Sequence, residues 1–292
     1  MTVLAVARLM TLDARRSKGV RAVVGLFAVV ALAAVVIPAL VVGDSLTADR
    51  ALVFLVSPLE LVVALVALLT GYGAIAGPRT GGQLALVLGL PVDRTALVVG
   101  AFVGRSTVVL GGVAVGLAVV AAALPATYGV LPVRPLVTFG LLLALFAVAL
   151  TALAVGTSAA VASRGRAAVA VVLAFACFEF FWAVVPAGAY YLVTGTLPGA
   201  TVPAWVVLVH RLQPVTAFEA TATAWLPSVG SSVQLSASGA QAAGPTAGGG
   251  LAGRLAGPTP SYLDPWAGVV TLVGWTAIPL VVGWHRFRRA DL

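Results

Sequence analysis

Residues Ala22 to Val42 read AVVGLFAVVALAAVVIPALVV, a run without a charged side chain. A helix of about 20 such residues, rising 1.5 Å per residue, crosses the hydrocarbon core of a bilayer. The run is also longer than the apolar core of a signal peptide, which covers about 7 to 15 residues. It therefore predicts a retained transmembrane helix, and this prediction sets the class of the whole fold.

Further apolar runs long enough to cross a membrane follow along the chain. They cover residues 51–76, 97–124, 135–162, 167–193 and 266–284. The chain is 61% hydrophobic and only 9% charged, whereas a soluble domain carries about 25% charged residues. We therefore predict an all-α integral membrane protein with six transmembrane helices, folded as a single polytopic domain over residues 1–292.

The basic residues predict how these helices are oriented. If the N-terminus is cytoplasmic, all but four of the 17 lysine and arginine residues lie on the cytoplasmic side. The four on the external side are Arg50, Arg134, Arg211 and Arg254. Because cytoplasmic loops carry the excess of basic residues, we expect a multi-pass protein of the cell membrane with both termini in the cytoplasm.

The N-terminal segment and the external loop have features of their own. Residues 1–21 place apolar side chains largely on one side and end in a basic cluster, which favours a cytoplasmic amphipathic helix at the interface; a merely basic tail is the alternative. In the external loop, residues 194–265, the stretch 204–225 is apolar and aromatic and predicts a short helix lying on the outer interface. Residues 227–260, rich in Gly, Ser, Ala and Gln, predict a flexible tether.

A polar and basic passage separates the second and third apolar runs. From Gly77 to Arg105 the sequence is GPRTGGQLALVLGLPVDRTALVVGAFVGR. Its inner apolar stretch, 84–90, is far shorter than the roughly 20 residues that cross a bilayer. Gly89 is placed to end a short helix, and Pro91 to begin the next at its first position. The passage is therefore predicted to lie at the membrane surface and to contact a partner.

The sequence lacks the motifs of nucleotide hydrolysis and of hydrolytic catalysis. A P-loop requires a lysine that follows a glycine-rich loop and holds the phosphates, and the single lysine, Lys18, follows no such loop. The histidines, His210 and His285, stand apart, and Cys177 is the single cysteine. We therefore expect a protein that is not an enzyme, with no catalytic residues, and that binds no metal, no cofactor and no nucleic acid itself.

The order of these features resembles the permease subunit of a type-two ATP-binding-cassette (ABC) exporter. The resemblance rests on a basic amphipathic N-terminus, two spans, a cytoplasmic arginine followed by glycine, a leucine-rich stretch, the motif L-P-V-x-R and a glycine-rich third span. The pattern is similar to the branch that contains nitrous-oxide-reductase maturation permeases. It implies a homodimer or heterodimer of permeases in the lipid bilayer, driven by a separate ABC ATPase subunit that uses the ATP.

The resemblance also implies a role for residues 77–96, which we call the coupling segment. The resemblance implies that the passage between spans two and three docks on the ATPase. The residues of this chain permit it, because the leucines offer an apolar ridge for a groove and the charged residues lie at its rim. A solvated loop positioned by the membrane surface is the alternative. The predicted partner-binding residues are Arg79, Leu84, Leu86, Leu88, Leu90, Pro91, Asp93 and Arg94.

Two carboxylates, Glu60 and Glu179, fall within predicted spans. A charge at the bilayer centre costs about 2.5 to 3.5 kcal/mol, so such residues usually face a cavity or a partner. Two roles fit these residues: they line a translocation path or bind a cationic substrate, or each makes a hydrogen bond between helices as a protonated acid. In the third span, small residues recur at a helical spacing that favours helix packing or a dimer seam. They are Gly100, Gly104, Gly112 and Gly116.

Two other functions are compatible with this sequence. The chain would act as a membrane anchor or assembly factor, transporting nothing, if its external loop positions an extracytoplasmic partner. It would be an ion-coupled secondary transporter if Glu60 and Glu179 carry protons or cations. A permease moving an unidentified substrate with energy from a separate ATPase remains the favoured function.

Overall fold

The structure is a computed structural model of the chain and describes residues 18–43, 46–80, 93–199, 201–226, 255, 258 and 260–290. Within these residues the secondary structure is helical, apart from an isolated bridge between Val202 and Leu255. Most of the predicted amphipathic helix, the middle of the coupling segment (81–92) and most of the predicted tether lie outside the described residues. The prediction of an all-α membrane protein is confirmed.

The described residues form α-helices of very different lengths, from 4 to 35 residues. In chain order they are α1 (Lys18–Val42), α2 (Ala48–Ala51), α3 (Val56–Gly71), α4 (Ala76–Thr80), α5 (Arg94–Tyr128), α6 (Val133–Ala160), α7 (Arg164–Ala176), α8 (Val184–Thr194), α9 (Ala204–Arg211), α10 (Pro214–Trp225) and α11 (Pro265–Arg289). The helices long and apolar enough to span a membrane are α1, the stretch Ala48–Arg79, α5, α6 and α11. Helices α7 and α8 complete a sixth span if the bent pair crosses as one.

The fifth predicted span is bent rather than straight. Residues Arg164–Phe181 and Val184–Thr194 meet at an angle of 68°, after a π-helical turn at Cys177–Phe181. Pro186 explains the bend, because it has no N–H for the carbonyl of Trp182 and its ring crowds that carbonyl. The amide of Val185 donates to the Trp182 carbonyl instead, at 3.0 Å.

Helix α6 lies at the centre of the bundle and packs against α3, α5, α10 and α11. Its closest contact is with α11, where the two backbones touch at Gly156 and Gly283. A Cβ atom added to Gly283 would lie 2.3 Å from the carbonyl oxygen of Gly156. Small residues allow helix backbones to approach this closely, and this contact fixes α11 against the core.

Two glycines of α5 pack against an aromatic side chain from α1. A Cβ atom on Gly112 or Gly116 would lie 3.3 or 3.4 Å from the ring of Phe27, which is completely buried. Gly100 and Gly104 are also buried. Two of the four predicted glycines thus contact α1 of the same chain, and a role in a dimer seam stays a prediction.

The stretch 204–225 differs from its prediction as one interfacial helix. It forms two helices, α9 and α10, because Gln213 is extended and Pro214 starts α10 in its first turn. Phe218 of α10 is completely buried and stacks on Phe146 of α6, with ring centroids 4.8 Å apart. The prediction of a single helix lying on the outer surface was therefore wrong, since α10 buries its apolar face in the bundle.

Candidate functional site

The coupling segment leaves the second span at α4, whose start is held by α6. Ser158 of α6 is completely buried, and its hydroxyl oxygen accepts hydrogen bonds from the amides of Ile75 and Ala76, both at 3.1 Å. The first amides of a helix have no partner within the helix. Ser158 satisfies two amides at this end, so it fixes α4 on the fourth span.

The turn between α3 and α4 is also held by the fifth span. The guanidinium of Arg164, the first residue of α7, donates a hydrogen bond of 3.0 Å to the hydroxyl of Tyr72. It also lies 5.4 Å from the centroid of the Tyr72 ring, a cation–π distance. Arg79 lies in the last turn of α4. The N-terminal end of the coupling segment is thus attached to α6 and α7.

The other end of the coupling segment is attached to α11. Arg94 begins α5, and its Nη1 donates to three backbone carbonyls near the end of α11. These are the carbonyls of Phe287, Arg288 and Ala290, at 3.0, 2.9 and 3.1 Å. The last carbonyls of a helix lack partners within it and carry the negative end of its dipole, so a guanidinium stabilises them.

A second hydrogen bond joins the same two helices. The indole nitrogen of Trp284 in α11 donates to the hydroxyl of Thr95 in α5 at 3.0 Å. The guanidinium of Arg94 also lies 5.8 Å from the centroid of the Phe287 ring. The start of α5 and the end of α11 are therefore tied by polar and aromatic contacts together.

Few of the predicted partner-binding residues lie within the described part of the chain. Arg79, Asp93 and Arg94 do, and Asp93 is exposed just before α5. Arg94 was assigned a rim charge, yet its Nη1 binds the end of α11, a role that the sequence did not indicate. Its role in docking stays a prediction, as does that of the others, which lie outside the described residues: Leu84, Leu86, Leu88, Leu90 and Pro91.

Three carboxylates lie within electrostatic range of one another near α10. Glu60 of α3 lies close enough to Glu219 of α10 and to Glu179 of the π-helical turn for their charges to repel. Glu60 is 3% exposed, and its Oε2 has no hydrogen-bond partner. The two predicted carboxylates are thus within electrostatic range of each other and of a third, Glu219.

Glu219 was not among the predicted site residues, because its stretch of sequence was assigned to an external loop. The aromatic residue beside it, Phe218, was the available signal that this helix is buried. Burial raises the pKa of the Glu219 carboxyl to about 7, and the negative charge of Glu179 contributes further. In the preceding helix, burial lowers the pKa of His210, with a smaller contribution from the positive charge of Arg211.

Aromatic residues join this end of the bundle across the bend of the fifth span. The indole of Trp182, at the bend, donates to the carbonyl of His210 at 3.1 Å. The indole of Trp275 in α11 donates to the carbonyl of Leu212 at 2.8 Å. Phe178 meets Trp275 edge to face, with centroids 5.2 Å apart. The connection between α9 and α10 is therefore held from two sides.

A family model described as the ABC-2 family transporter protein matches residues 4–292. The chain belongs to the ABC-2 transporter family. It is accordingly the membrane component of an ABC transporter, a multi-pass permease of a family that associates with an ATP-binding subunit. No curated protein sequence matches this permease.

Proposed function

We propose that the permease moves its substrate across the cell membrane and is driven by a separate ATP-binding subunit that docks on the coupling segment. The observation that carries this proposal is the attachment of the segment at both ends. Ser158 holds α4 on α6, and Arg94 holds the start of α5 on α11. A displacement of the segment by a partner would therefore pass into two different spans.

The same proposal includes the finer features of the family resemblance. The coupling segment and both termini face the cytoplasm, in agreement with the distribution of basic residues. Two permeases pair as a homodimer or heterodimer, and the partner subunit uses the ATP. The likeness to nitrous-oxide-reductase maturation permeases rests on the motif between Arg79 and Arg105 and belongs to this proposal too.

The test compares two leucines. The permease is coexpressed with candidate ATP-binding subunits encoded in the same genome, and copurification and ATPase stimulation are measured in nanodiscs. Leu86→Asp should abolish both, because a charge on an apolar ridge prevents docking in a groove. Leu197→Asp, at a 74% exposed leucine after α8, should leave both unchanged.

Arg94 is unsuitable for this test, because Arg94→Glu would also release the end of α11. Full stimulation by Leu86→Asp would overturn docking through the coupling segment. Transport that persists without any ATP-binding subunit would overturn the proposal as a whole.

A further inference from the structure

Arginines at the end of α11 continue the stripe of side chains by which this helix faces the lipid. Ile278, Val281 and Val282 are 64%, 59% and 48% exposed. Residues three and four apart lie on one face of a helix, so this stripe continues into Arg286 and Arg289, which are also exposed. Because a helix rises 1.5 Å per residue, Arg286 lies about 6 Å beyond Val282 along the axis. The apolar part of the stripe would therefore meet acyl chains, and its basic end would meet their headgroups.

A third arginine is fixed beside this stripe by an aromatic ring. The guanidinium of Arg288 lies 4.8 Å from the centroid of the Trp284 ring, a cation–π distance. The ring is itself held, because its indole nitrogen donates to the hydroxyl of Thr95. A guanidinium stacked on a ring leaves its N–H edges available, and these bind phosphate oxygens in pairs. Tryptophan at the end of a span is also typical of the membrane–water interface.

The end of a helix normally repels an anion, and Arg94 removes this obstacle. The last carbonyls of a helix carry the negative end of its dipole. At the end of α11 the carbonyls of Phe287, Arg288 and Ala290 all accept hydrogen bonds from Arg94. The positive charge of Arg94 therefore covers the carbonyls that would oppose a phosphate group.

The three arginines of α11 form a positive patch at one end of the bundle. Within the described residues, no acidic side chain forms an ion pair with Arg286, Arg288 or Arg289. The patch lies at the same end as the coupling segment, because Phe287 shares a buried cluster with Ile75, directly before α4. Basic clusters at the cytoplasmic end of a span attract the anionic lipids of that leaflet.

We propose that Arg286, Arg288 and Arg289 bind the phosphate of an anionic phospholipid in the leaflet at this end of the bundle. The occupant is a lipid rather than a soluble phosphate or a protein, because the patch directly continues a lipid-facing apolar stripe. A lipid held here would lie beside the link between Arg94 and α11. Its binding requires neither an ATP-binding subunit nor transport, so it does not rest on the proposed function.

The test titrates the purified full-length permease in detergent micelles with phosphatidylglycerol or phosphatidylcholine of the same acyl chains, and native mass spectrometry counts the bound lipids. The wild type should bind phosphatidylglycerol at least about tenfold more tightly, because this lipid alone has a net negative charge. Arg286→Gln, Arg288→Gln and Arg289→Gln should each weaken that binding about fivefold. Arg134→Gln, at an exposed arginine at the start of α6, the end away from the patch, should leave it unchanged.

Three results would overturn the proposal. One is equal affinity for the two lipids, and another is unchanged binding of phosphatidylglycerol in the three glutamine variants of the patch. The third is displacement of the lipid by an equal concentration of glycerophosphoglycerol, its headgroup without acyl chains, as expected for a site that takes soluble phosphates. All three positions are exposed, and helical circular dichroism checks that each variant folds. Leu86→Asp should bind phosphatidylglycerol as the wild type does, so this proposal and the proposed function fail separately.

Discussion

The contact between α6 and α11 leads to a quantitative prediction for Gly283→Ala. The new Cβ atom would lie 2.3 Å from the carbonyl oxygen of Gly156, 2.7 Å from its Cα and 2.8 Å from its carbonyl carbon. All three are backbone atoms, so no side chain can rotate away. The helices would have to separate by about 1 Å to restore an ordinary contact of about 3.5 Å.

The expected loss of stability follows from this separation. Overpacking a close-packed interior costs about 1 to 3 kcal/mol. Alanine is intrinsically favoured over glycine in a helix by about 1 kcal/mol. A Gly→Ala change at a position without close neighbours includes this gain and no overpacking, so it is the proper control. Gly274, in the same helix, has Ile278 Cδ1 as its nearest neighbour at 4.0 Å. Gly274→Ala should therefore be neutral or slightly stabilising, and Gly283→Ala should be less stable than this control by the overpacking cost alone, about 1 to 3 kcal/mol, because both variants share the helix preference of alanine.

The assay is reversible unfolding of the purified permease in mixed micelles, followed by helical circular dichroism as denaturing detergent increases. Gly283→Ala should unfold at a lower fraction of denaturing detergent than both the wild type and Gly274→Ala. Gly156→Ala, on the opposite side of the contact, should behave like Gly283→Ala. Equal stability of Gly283→Ala and Gly274→Ala would refute the backbone contact between α6 and α11.

Three further predictions concern single polar side chains. Ser158→Ala should destabilise the permease by about 1 to 3 kcal/mol in the same unfolding assay, because two buried amides lose their acceptor. Ser106→Ala is the control, since the hydroxyl of this buried serine has no partner, and it should cost less stability. Arg94→Gln should expose the end of α11 to limited proteolysis, whereas Arg166→Gln, at an exposed position of α7, should not. Glu219 keeps its proton in the folded state up to about pH 7, so wild-type stability should fall by about 3 kcal/mol as the pH rises from about 4.5 to 7. Glu219→Gln should reduce this fall, and an unchanged dependence of the melting temperature on pH would contradict the raised pKa.

The spans were predictable because each is a long apolar run, and length with composition is enough to identify a crossing. The bend of the fifth span was also encoded locally. Pro186 lies inside the apolar run, and a proline within a helix removes a hydrogen bond and crowds the preceding turn. The prediction of a span over 167–193 did not take this proline into account.

The contacts between helices were less predictable, because they depend on how one helix is rotated against another. The glycines of α5 recur at helical spacing and are visible as a stripe, whereas Gly156 and Gly283 are single residues in separate helices. Their closeness appears only once α6 and α11 are aligned. The burial of α10 is similar, since the sequence around Glu219 is also compatible with a helix at the membrane surface.

The link between Arg94 and α11 also affects what comparisons of related sequences can reveal. The guanidinium binds backbone carbonyls, so the side chains of Arg288 and Ala290 can change without breaking these hydrogen bonds, whereas Phe287 is kept by its own burial and its ring contact. A search for pairs of positions that vary together would therefore find no signal for this link. The arginine would appear invariant on its own, beside a C-terminal end of variable sequence, although hydrogen bonds join the two.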